Sequence, residues 1–373
     1  MTDRTRTVAA TTSLVVVLAG GTLTGCTEGG ADDRPAPTPV TVECETAPAA
    51  DVTTAEGWIG YLAEHPDTVA LALDDGAGGT LGHRADEQHP LASAVKVVHL
   101  AAYARAVADG DLDPAEPVPL ADWERWYLPG TDGDAHPRAL ERLGVSDPAS
   151  PARPGVTVRL DDMVSAMIRE SDNAVPDYLR DRLGDEALRQ AAARGGWDGF
   201  EPPTMLGTTI AMFDPALDDR DAVWEAARRY ATDPAYREQI LQTPVAGDVF
   251  TRMDRIQRFG NTGSAVQLAA LHRSVAEGSF GAGADLARAH LEWQQAAPPG
   301  FEGLGFKGGS LPGILTDAFA FRRADGTVAT AVILTAGMAP EEYAEATASY
   351  AHQQLLVAAT TDPDVRERIR CAL

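Results

Sequence analysis

Strand-like segments lie in two groups along the chain, and a long helical region separates the groups. The first group is the alternating segment 68–73, followed after a turn by residues 80–84 as its antiparallel partner. The second group has three strands, at residues 304–310, 314–321 and 327–335. Short strands joined by tight turns pair antiparallel. We therefore expect an α+β fold: an antiparallel five-stranded sheet flanked by helices from the two chain ends, with a large helical subdomain (about residues 92–300) inserted between strands 2 and 3.

The helices are predicted from apolar residues that recur at the spacing of one helical face. They are expected at residues 53–65, 93–109, 160–170, 174–183, 264–275, 286–294 and 341–358. Residues 111–155 differ, because their eight prolines exclude a long helix. The aromatic residues Trp123, Trp126 and Tyr127 of this segment either pack it onto the body or line the mouth of a cleft. Packing is the interpretation that we favour.

Ser93 and Lys96 stand three positions apart at the start of a predicted helix, so their side chains share one face. In the first helical turn, backbone N–H groups favour a developing negative charge. The chain has 31 lysine and arginine residues, and only Lys96 and Lys307 are lysines. A buried lysine can lose its proton, whereas an arginine keeps its charge. We therefore interpret Lys96 as a general base for Ser93 rather than as a solvated neighbour of a helix cap.

Two further elements carry groups that suit acyl transfer. Ser171-Asp172-Asn173 lies between two predicted helices, where the same residue types would also serve as a simple cap. Lys307 begins the run Lys307-Gly308-Gly309-Ser310 on the first strand of the second group. The second lysine of the chain thus falls on the predicted sheet.

The order Ser-x-x-Lys, Ser-Asp-Asn and Lys-Gly-Gly resembles the serine β-lactamase and penicillin-binding protein superfamily, with class A β-lactamases nearest. The resemblance extends over most of residues 58–358. The first two elements match the family pattern fully. The third departs from it, because Gly308 stands where the family has the threonine of Lys-Thr-Gly.

The resemblance implies four catalytic residues. Ser93 would attack the carbonyl carbon of a lactam or acyl peptide, and Lys96 would accept its proton. Ser171 would relay that proton to the leaving nitrogen. Lys307 would supply positive charge for a substrate carboxylate.

The resemblance also implies a set of substrate-binding groups. Asn173 would hold the side-chain amide of the substrate. Gly308 and Gly309 would leave the strand edge open for the substrate. The N–H of Ser310 would complete an oxyanion hole with the N–H of the nucleophile, and its hydroxyl could partly replace the missing threonine.

Deacylation is the step for which the sequence offers no matching residue. Class A enzymes place a glutamate, followed by an asparagine, in a loop after Ser-Asp-Asn. The corresponding segment here has Glu201 but no asparagine after it, and we interpret Glu201 as a solvated carboxylate. The remaining candidates for a base lie in the segment 214–219. We expect acylation without an efficient deacylating base.

The N-terminal residues read as a targeting segment. Arg4 and Arg6 precede a short apolar run that ends in Leu23-Thr24-Gly25-Cys26. This resembles a bacterial lipoprotein signal (residues 1–25) with lipid on Cys26; the alternative is an ordinary secretory signal. We then expect a flexible tether at 26–50, a hydrolase domain at 51–362 and a C-terminal tail at 363–373.

Two cysteines remain in the exported chain, Cys44 and Cys371. In an oxidising compartment they favour a disulfide, and in the related fold the first and last helices lie side by side. The alternative is a pair of unpaired buried thiols.

Composition limits the partners. The formal net charge of −24 disfavours nucleic acid and anionic lipid headgroups as partners. The eight histidines are scattered without metal-ligand spacing, so neither a metal nor another cofactor is expected. The leading hypothesis is a monomeric, exported serine hydrolase for a small-molecule β-lactam, anchored by lipid to the outer face of the cell membrane. The alternatives are a cell-wall D-alanyl peptidase or transpeptidase acting on peptidoglycan peptides, and a lipoprotein that binds such ligands without turnover.

Overall fold

The alternating segment that opens the domain forms the strand next to one edge of a five-stranded sheet. The computed structural model describes residues 44–146, 154–214, 216–243, 253–294 and 296–373, and residues 45–373 form one compact unit. The strands are β1 (Val69–Asp74), β2 (Thr80–His83), β3 (His89–Pro90), β4 (Pro117–Pro119), β5 (Thr157–Arg159), β6 (Thr262–Gly263), β7 (Gly303–Leu311), β8 (Ile314–Arg322) and β9 (Val328–Ala336). Five of them form an antiparallel sheet in the order β2-β1-β9-β8-β7. The predicted α+β fold with a five-stranded sheet is confirmed.

The helices surround this sheet. The first two are α1 (Ala55–Glu64) and α2 (Lys96–Asp109), and the helical subdomain continues with α3 (Leu120–Glu124), α4 (Ala135–Arg142), α5 (Leu160–Arg169), α6 (Ala174–Leu183), α7 (Asp185–Arg194), α8 (Met205–Ala211), α9 (Arg220–Thr232), α10 (Pro234–Gln242), α11 (Met253–Phe259), α12 (Ala265–Glu277) and α13 (Ala284–Leu291). The chain ends with α14 (Pro340–Ser349), α15 (Ala351–Thr361) and α16 (Pro363–Ala372). The helical subdomain is inserted between β2 and β7, as the sequence predicts. Two small ribbons, β3-β6 and β4-β5, accompany it.

The two faces of the sheet pack against different helices, and the alternation in β1 shows why. Ala70 and Ala72 belong to the core shared with the helical subdomain. Leu71 and Leu73 belong to the core shared with the terminal helices α1, α14, α15 and α16. Small residues on one face let the subdomain approach closely, and burial of each leucine on the other face stabilises the fold by about 1.5–3 kcal/mol.

The C-terminal region differs from its prediction in two respects. The helix predicted at 341–358 is divided into α14 and α15 at Tyr350, whose φ of 52° is left-handed and ends α14. The segment 363–373, predicted as a tail, forms helix α16. Asp362 caps α16 through a hydrogen bond from the N–H of Asp364, and Ile369 is buried in the core of the terminal helices. The composition of residues 363–373 does not distinguish an amphipathic helix from a polar tail.

The proline-rich segment is packed rather than loose. Trp123 and Trp126 are buried in the core of the helical subdomain, which confirms the interpretation of packing. The segment also contributes α3, α4 and strand β4, each short because prolines interrupt the backbone hydrogen bonds. Residues 147–153 of the segment lie outside the described residues.

The predicted targeting segment lies outside the described residues, since these begin at residue 44; Cys26 and most of the tether are therefore not described. Within the described ranges, no helix is both long and apolar enough to cross a membrane. The same ranges contain no cluster of side chains suited to hold a metal ion.

Both Cys44 and Cys371 are disulfide-bonded, and their pairing with each other stays a prediction. We expect the Cys44→Ser variant to lose about 2–5 kcal/mol of unfolding free energy, because the bond would restrict the unfolded chain over almost the whole domain. Urea denaturation of the two proteins measures this difference. Two alkylatable thiols in the denatured, unreduced wild-type protein would contradict the pairing.

Candidate active site

Ser93 lies in a 3₁₀ turn, Ala92–Val95, directly before α2. The sequence predicted an α-helical turn; in a 3₁₀ turn, side chains three apart eclipse each other, which brings Ser93 and Lys96 closer together. Ala92 has a left-handed φ of 46°. Such a conformation is uncommon for a residue with a Cβ and is typical of turns that present a functional group. Ser93 is half-buried between two buried alanines, and it lines the cleft together with Ala92.

Strand β7 passes directly beside this turn. A Cβ on Gly309 would lie 2.5 Å from the backbone nitrogen of Ser93, 2.7 Å from that of Ala94 and 2.5 Å from the carbonyl oxygen of Leu91. Only glycine permits this approach. The close contact brings the backbone of Ser310 beside that of Ser93, as two oxyanion-hole donors require.

Lys96 is fully buried, and its ammonium group lies within hydrogen-bond distance of four oxygens. Its Nζ is 3.0 Å from Ser93 Oγ, 2.6 Å from Asn173 Oδ1, 2.6 Å from the carbonyl oxygen of Ser171 and 3.3 Å from Ser171 Oγ. Burial lowers the pKa of Lys96 to about 8, although Asp172 and more distant carboxylates favour the charged form. Lys96 can therefore exist as a free amine near neutral pH, in contact with the hydroxyl it would deprotonate.

Lys307 approaches the same serine from the sheet. Its Nζ donates to Ser171 Oγ at 3.1 Å and to the carbonyl oxygen of Gly308 at 2.6 Å. Burial, followed by repulsion from Lys96, lowers the pKa of Lys307 well below its ordinary value. Ser171 thus lies between both lysines of the chain, and its left-handed φ of 70° turns its hydroxyl towards them.

Asp172 holds this arrangement in place rather than taking part in it. Its Oδ1 accepts from the N–H groups of Ala174 and Val175, which caps α6, and from Trp123 Nε1 at 3.2 Å. Its Oδ2 lies 2.6 Å from His136 Nδ1. Trp123 and His136 come from the proline-rich segment, so this segment fixes Ser171 and Asn173 through Asp172. The cap interpretation of Ser-Asp-Asn applies to Asp172, whereas the catalytic roles of Ser171 and Asn173 stay predictions.

A cavity of about 610 Å³ opens in front of these groups. Of the predicted site residues, Ser93, Ser171, Asn173 and Ser310 line it, whereas both lysines lie behind this wall. Sequence reasoning did not identify the other polar groups on the wall: Thr131, Asp132, Thr204, Thr208, Thr209, Thr243, Asn261 and Tyr343. They come from loops and from helices α8 and α14, whose convergence depends on tertiary packing, and no motif indicates them.

Gly308 is accounted for by a buried carboxylate on the neighbouring strand. A Cβ at Gly308 would lie 2.3 Å from Asp317 Oδ1. Asp317 is held by His352 Nε2 at 2.7 Å and by Gln353 Nε2 at 2.8 Å, both from α15. A threonine cannot occupy position 308 unless Asp317 moves.

The candidate bases for deacylation lie away from the nucleophile. Glu201 is exposed and lies 3.5 Å from Arg189. Asp214 and Asp219 accept backbone hydrogen bonds in their own turns, from Ala216 and Ala222. Among the described residues that line the cavity, Asp132 is the only one with a carboxylate.

The segment after Glu201 carries hydroxyl and apolar groups instead. Thr204 caps α8, and the N–H of Leu206 donates to the buried carboxylate of Asp177 at 2.7 Å. Burial raises the pKa of Asp177 to about 6. Asp177 anchors this segment from inside the subdomain and does not line the cavity.

The titration of Lys96 predicts the pH dependence of acylation. As a general base Lys96 would act through its free amine, and its pKa is about 8, so we expect the acylation rate of Ser93 to rise with pH and level off above about 8. Below that value the rate should fall about tenfold per pH unit as the amine is protonated. Stopped-flow acylation rates between pH 5 and pH 9.5 test this, and a flat profile across this range would contradict the role of Lys96 as base.

Residues 57–355 match the profile of a family described as a beta-lactamase enzyme family. No curated protein sequence gives a significant match. A β-lactamase from Sphaerobacter thermophilus is 18% identical with a TM-score of 0.53, and the match covers 83% of this chain and 98% of that one. A β-lactamase from Chitinophaga pinensis is 15% identical with a TM-score of 0.51, covering 82% and 99%. A variant of the class A β-lactamase of the last common ancestor of Gram-negative bacteria is 17% identical with a TM-score of 0.51, covering 83% and 98%.

Proposed function

Because the chain belongs to the beta-lactamase enzyme family, we propose that it is a serine hydrolase that forms an acyl-enzyme on Ser93, with Lys96 as the base. One observation carries this proposal. The Nζ of Lys96 lies 3.0 Å from Ser93 Oγ in a fully buried site that lowers its pKa to about 8. A nucleophile in hydrogen-bond contact with a group that can accept its proton near neutral pH is the arrangement that covalent catalysis requires.

Acylation follows from the contacts around Ser93. Lys96 takes the proton of Ser93 Oγ as this oxygen bonds to the carbonyl carbon of a lactam or related amide. The negative charge that develops on the carbonyl oxygen is held by the N–H groups of Ser93 and Ser310. The charge appears only in the transition state, so these donors lower the barrier more than they tighten substrate binding.

Breakdown of the tetrahedral intermediate needs a proton on the leaving nitrogen. Ser171 Oγ lies 3.3 Å from the Nζ of Lys96 and 3.1 Å from that of Lys307. The proton taken from Ser93 can therefore pass from Lys96 through Ser171 to the nitrogen as the C–N bond breaks. This returns Lys96 to its free-amine form and leaves the acyl group on Ser93.

A time course of intact-protein mass with benzylpenicillin and with an acyl-D-alanyl-D-alanine peptide tests this function. We expect an adduct of one acyl group per protein, absent from the Ser93→Ala variant. Acylation by the peptide alone would favour a cell-wall peptidase or transpeptidase. Binding of either ligand without covalent mass would contradict the hydrolase and favour a lipoprotein that binds without turnover.

We further propose that the protein is exported and held to the outer face of the cell membrane by lipid on Cys26. The apolar run before Leu23-Thr24-Gly25-Cys26 supports this. We expect the full-length protein to partition with membranes and the Cys26→Ser variant to move to the soluble fraction, because one lost anchor removes most of the membrane affinity. A soluble wild-type protein whose N-terminus begins after residue 26 would contradict lipidation.

A further inference from the structure

The wall of the cavity in front of Ser93 is poor in charged groups where the structure describes it. Among the described residues that line it there is no lysine, arginine or histidine. Its one carboxylate is that of Asp132, which is half-buried and accepts a hydrogen bond from the N–H of His136 at 2.9 Å. An anionic substrate would therefore meet a negative group and no fixed positive one on this wall.

Lys96 and Lys307 do not supply the missing cation on this wall, because their ammonium groups face the interior. Lys307 is 3% exposed, and its Nζ is engaged by Ser171 Oγ and by the carbonyl oxygen of Gly308. The depressed pKa of Lys307 further weakens it as a fixed cation. Lys96 is fully buried and occupied by four oxygens. Neither lysine lines the cavity.

A second carboxylate lies beside the strand that would hold the leaving part of the substrate. Asp317 Oδ1 is 2.3 Å from the position of a Cβ on Gly308. A threonine at position 308 would place a hydroxyl here that could donate a hydrogen bond to a substrate carboxylate. Asp317 places a hydrogen-bond acceptor there instead. A carboxylate brought against Gly308 would be repelled rather than paired.

The rest of the wall is apolar or carries neutral hydroxyl and amide groups. Eight large apolar side chains line the cavity, half of them from helices α8, α10 and α11: Leu128, Met205, Met212, Phe213, Ile240, Leu241, Ile256 and Leu311. Such a wall favours uncharged ligands, because a charge moved from water to it loses hydration without gaining a partner.

We propose that this cavity selects uncharged acyl donors over acyl donors that carry a carboxylate. The inference rests on the proposed function and names its substrate class: esters or amides whose leaving part is neutral. It replaces the expectation that Lys307 pairs with a substrate carboxylate. The absence of a basic group among the described residues of the wall, together with Asp132 on it, carries it. Asp317 lies behind Gly308 and does not line the cavity.

Benzylpenicillin and its methyl ester form a matched pair for the test, since they differ only in whether the carboxylate beside the lactam nitrogen is free or methylated. The second-order rate of Ser93 acylation is measured for each by intact mass and divided by the rate of alkaline hydrolysis of the same compound. We expect the ester to be about tenfold faster after this correction, because an unpaired carboxylate in the cavity loses its hydration. Equal rates, or a faster free acid, would overturn the proposal.

A variant pair isolates the effect of charge. Leu311 is half-buried at the β7 end of the cavity. The Leu311→Arg variant adds a cation there, and Leu311→Gln adds a polar group without charge. We expect Leu311→Arg to shift the rate ratio towards the free acid by about fivefold relative to Leu311→Gln. An unchanged ratio would show that charge is not what the cavity selects, and would overturn the proposal.

The experiments distinguish a failure of the proposed function from a failure of the selectivity alone. If neither compound, at any concentration, adds mass that depends on Ser93, the acyl-enzyme itself is wrong and the selectivity is overturned with it. If both compounds acylate Ser93 and the free acid is preferred, only the selectivity is overturned.

Discussion

The Lys96→Arg variant is expected to acylate Ser93 about 10²–10⁴-fold more slowly than the wild-type protein. Arginine keeps its proton at any accessible pH, so it cannot accept one from the Ser93 hydroxyl. The loss should appear in the acylation rate constant measured by stopped flow with a chromogenic acyl donor. Ser93→Ala should give no covalent adduct at all.

A control variant separates loss of the base from loss of structure. Arg105 lies on the same helix, α2, and its side chain pairs with Asp109 away from the cavity. Arg105→Ala should leave the acylation rate unchanged. Because arginine is larger than lysine in a fully buried site, Lys96→Met serves as a second variant, and thermal unfolding reports whether each variant is folded. A folded Lys96→Arg or Lys96→Met variant with near-normal acylation would show that another group is the base.

Deacylation is expected to be the slow step, with a burst of one equivalent of lactam-ring opening followed by a shallow steady state. A positioned base that activates water is worth about 10²–10⁴-fold in such a step. Glu201 is exposed and paired with Arg189, and Asp132 is the only carboxylate among the described residues lining the cavity. Pre-steady-state opening of the lactam ring, followed by its loss of ultraviolet absorbance with whichever of benzylpenicillin and its methyl ester acylates faster, tests this expectation.

Rapid multiple turnover without a burst would contradict this account of deacylation. Asp132 would then be the first group to examine, because burial raises its pKa and places it as a proton acceptor nearer neutrality. The Asp132→Asn variant would convert rapid turnover into a burst if Asp132 activates the water. Glu201→Gln is the matched control, since it removes a carboxylate that does not line the cavity.

The sheet could be predicted from the sequence because its strands are short, apolar and joined by turns. The motifs could be found because the residues of each lie close together in the chain. Ser93 and Lys96 need only the spacing of one turn to meet. Ser171 lies between Lys96 and Lys307, which are distant from it in the chain. Local patterns do not predict that these three residues meet; the resemblance to a family did.

Features that depend on tertiary contacts were missed. No local signal shows that Asp317 fills the space at Gly308, since this follows from the pairing of β7 with β8 and from His352 on α15. Asp132 lines the cavity because Asp172 binds His136 of the same segment. The break between α14 and α15 at Tyr350 was missed as well. One left-handed residue interrupts the helix but does not alter the spacing of the apolar residues on either side, so the pattern predicts one continuous helix.

The position of the acyl group is the most direct test of the account. The protein is treated with an acyl donor, quenched in acid during the burst and digested, and the modified peptide is located by tandem mass spectrometry. We expect a single acyl group on Ser93, in stoichiometric amount. An acyl group on Ser171 or Ser310, or hydrolysis of the donor with no covalent intermediate at any time, would contradict it.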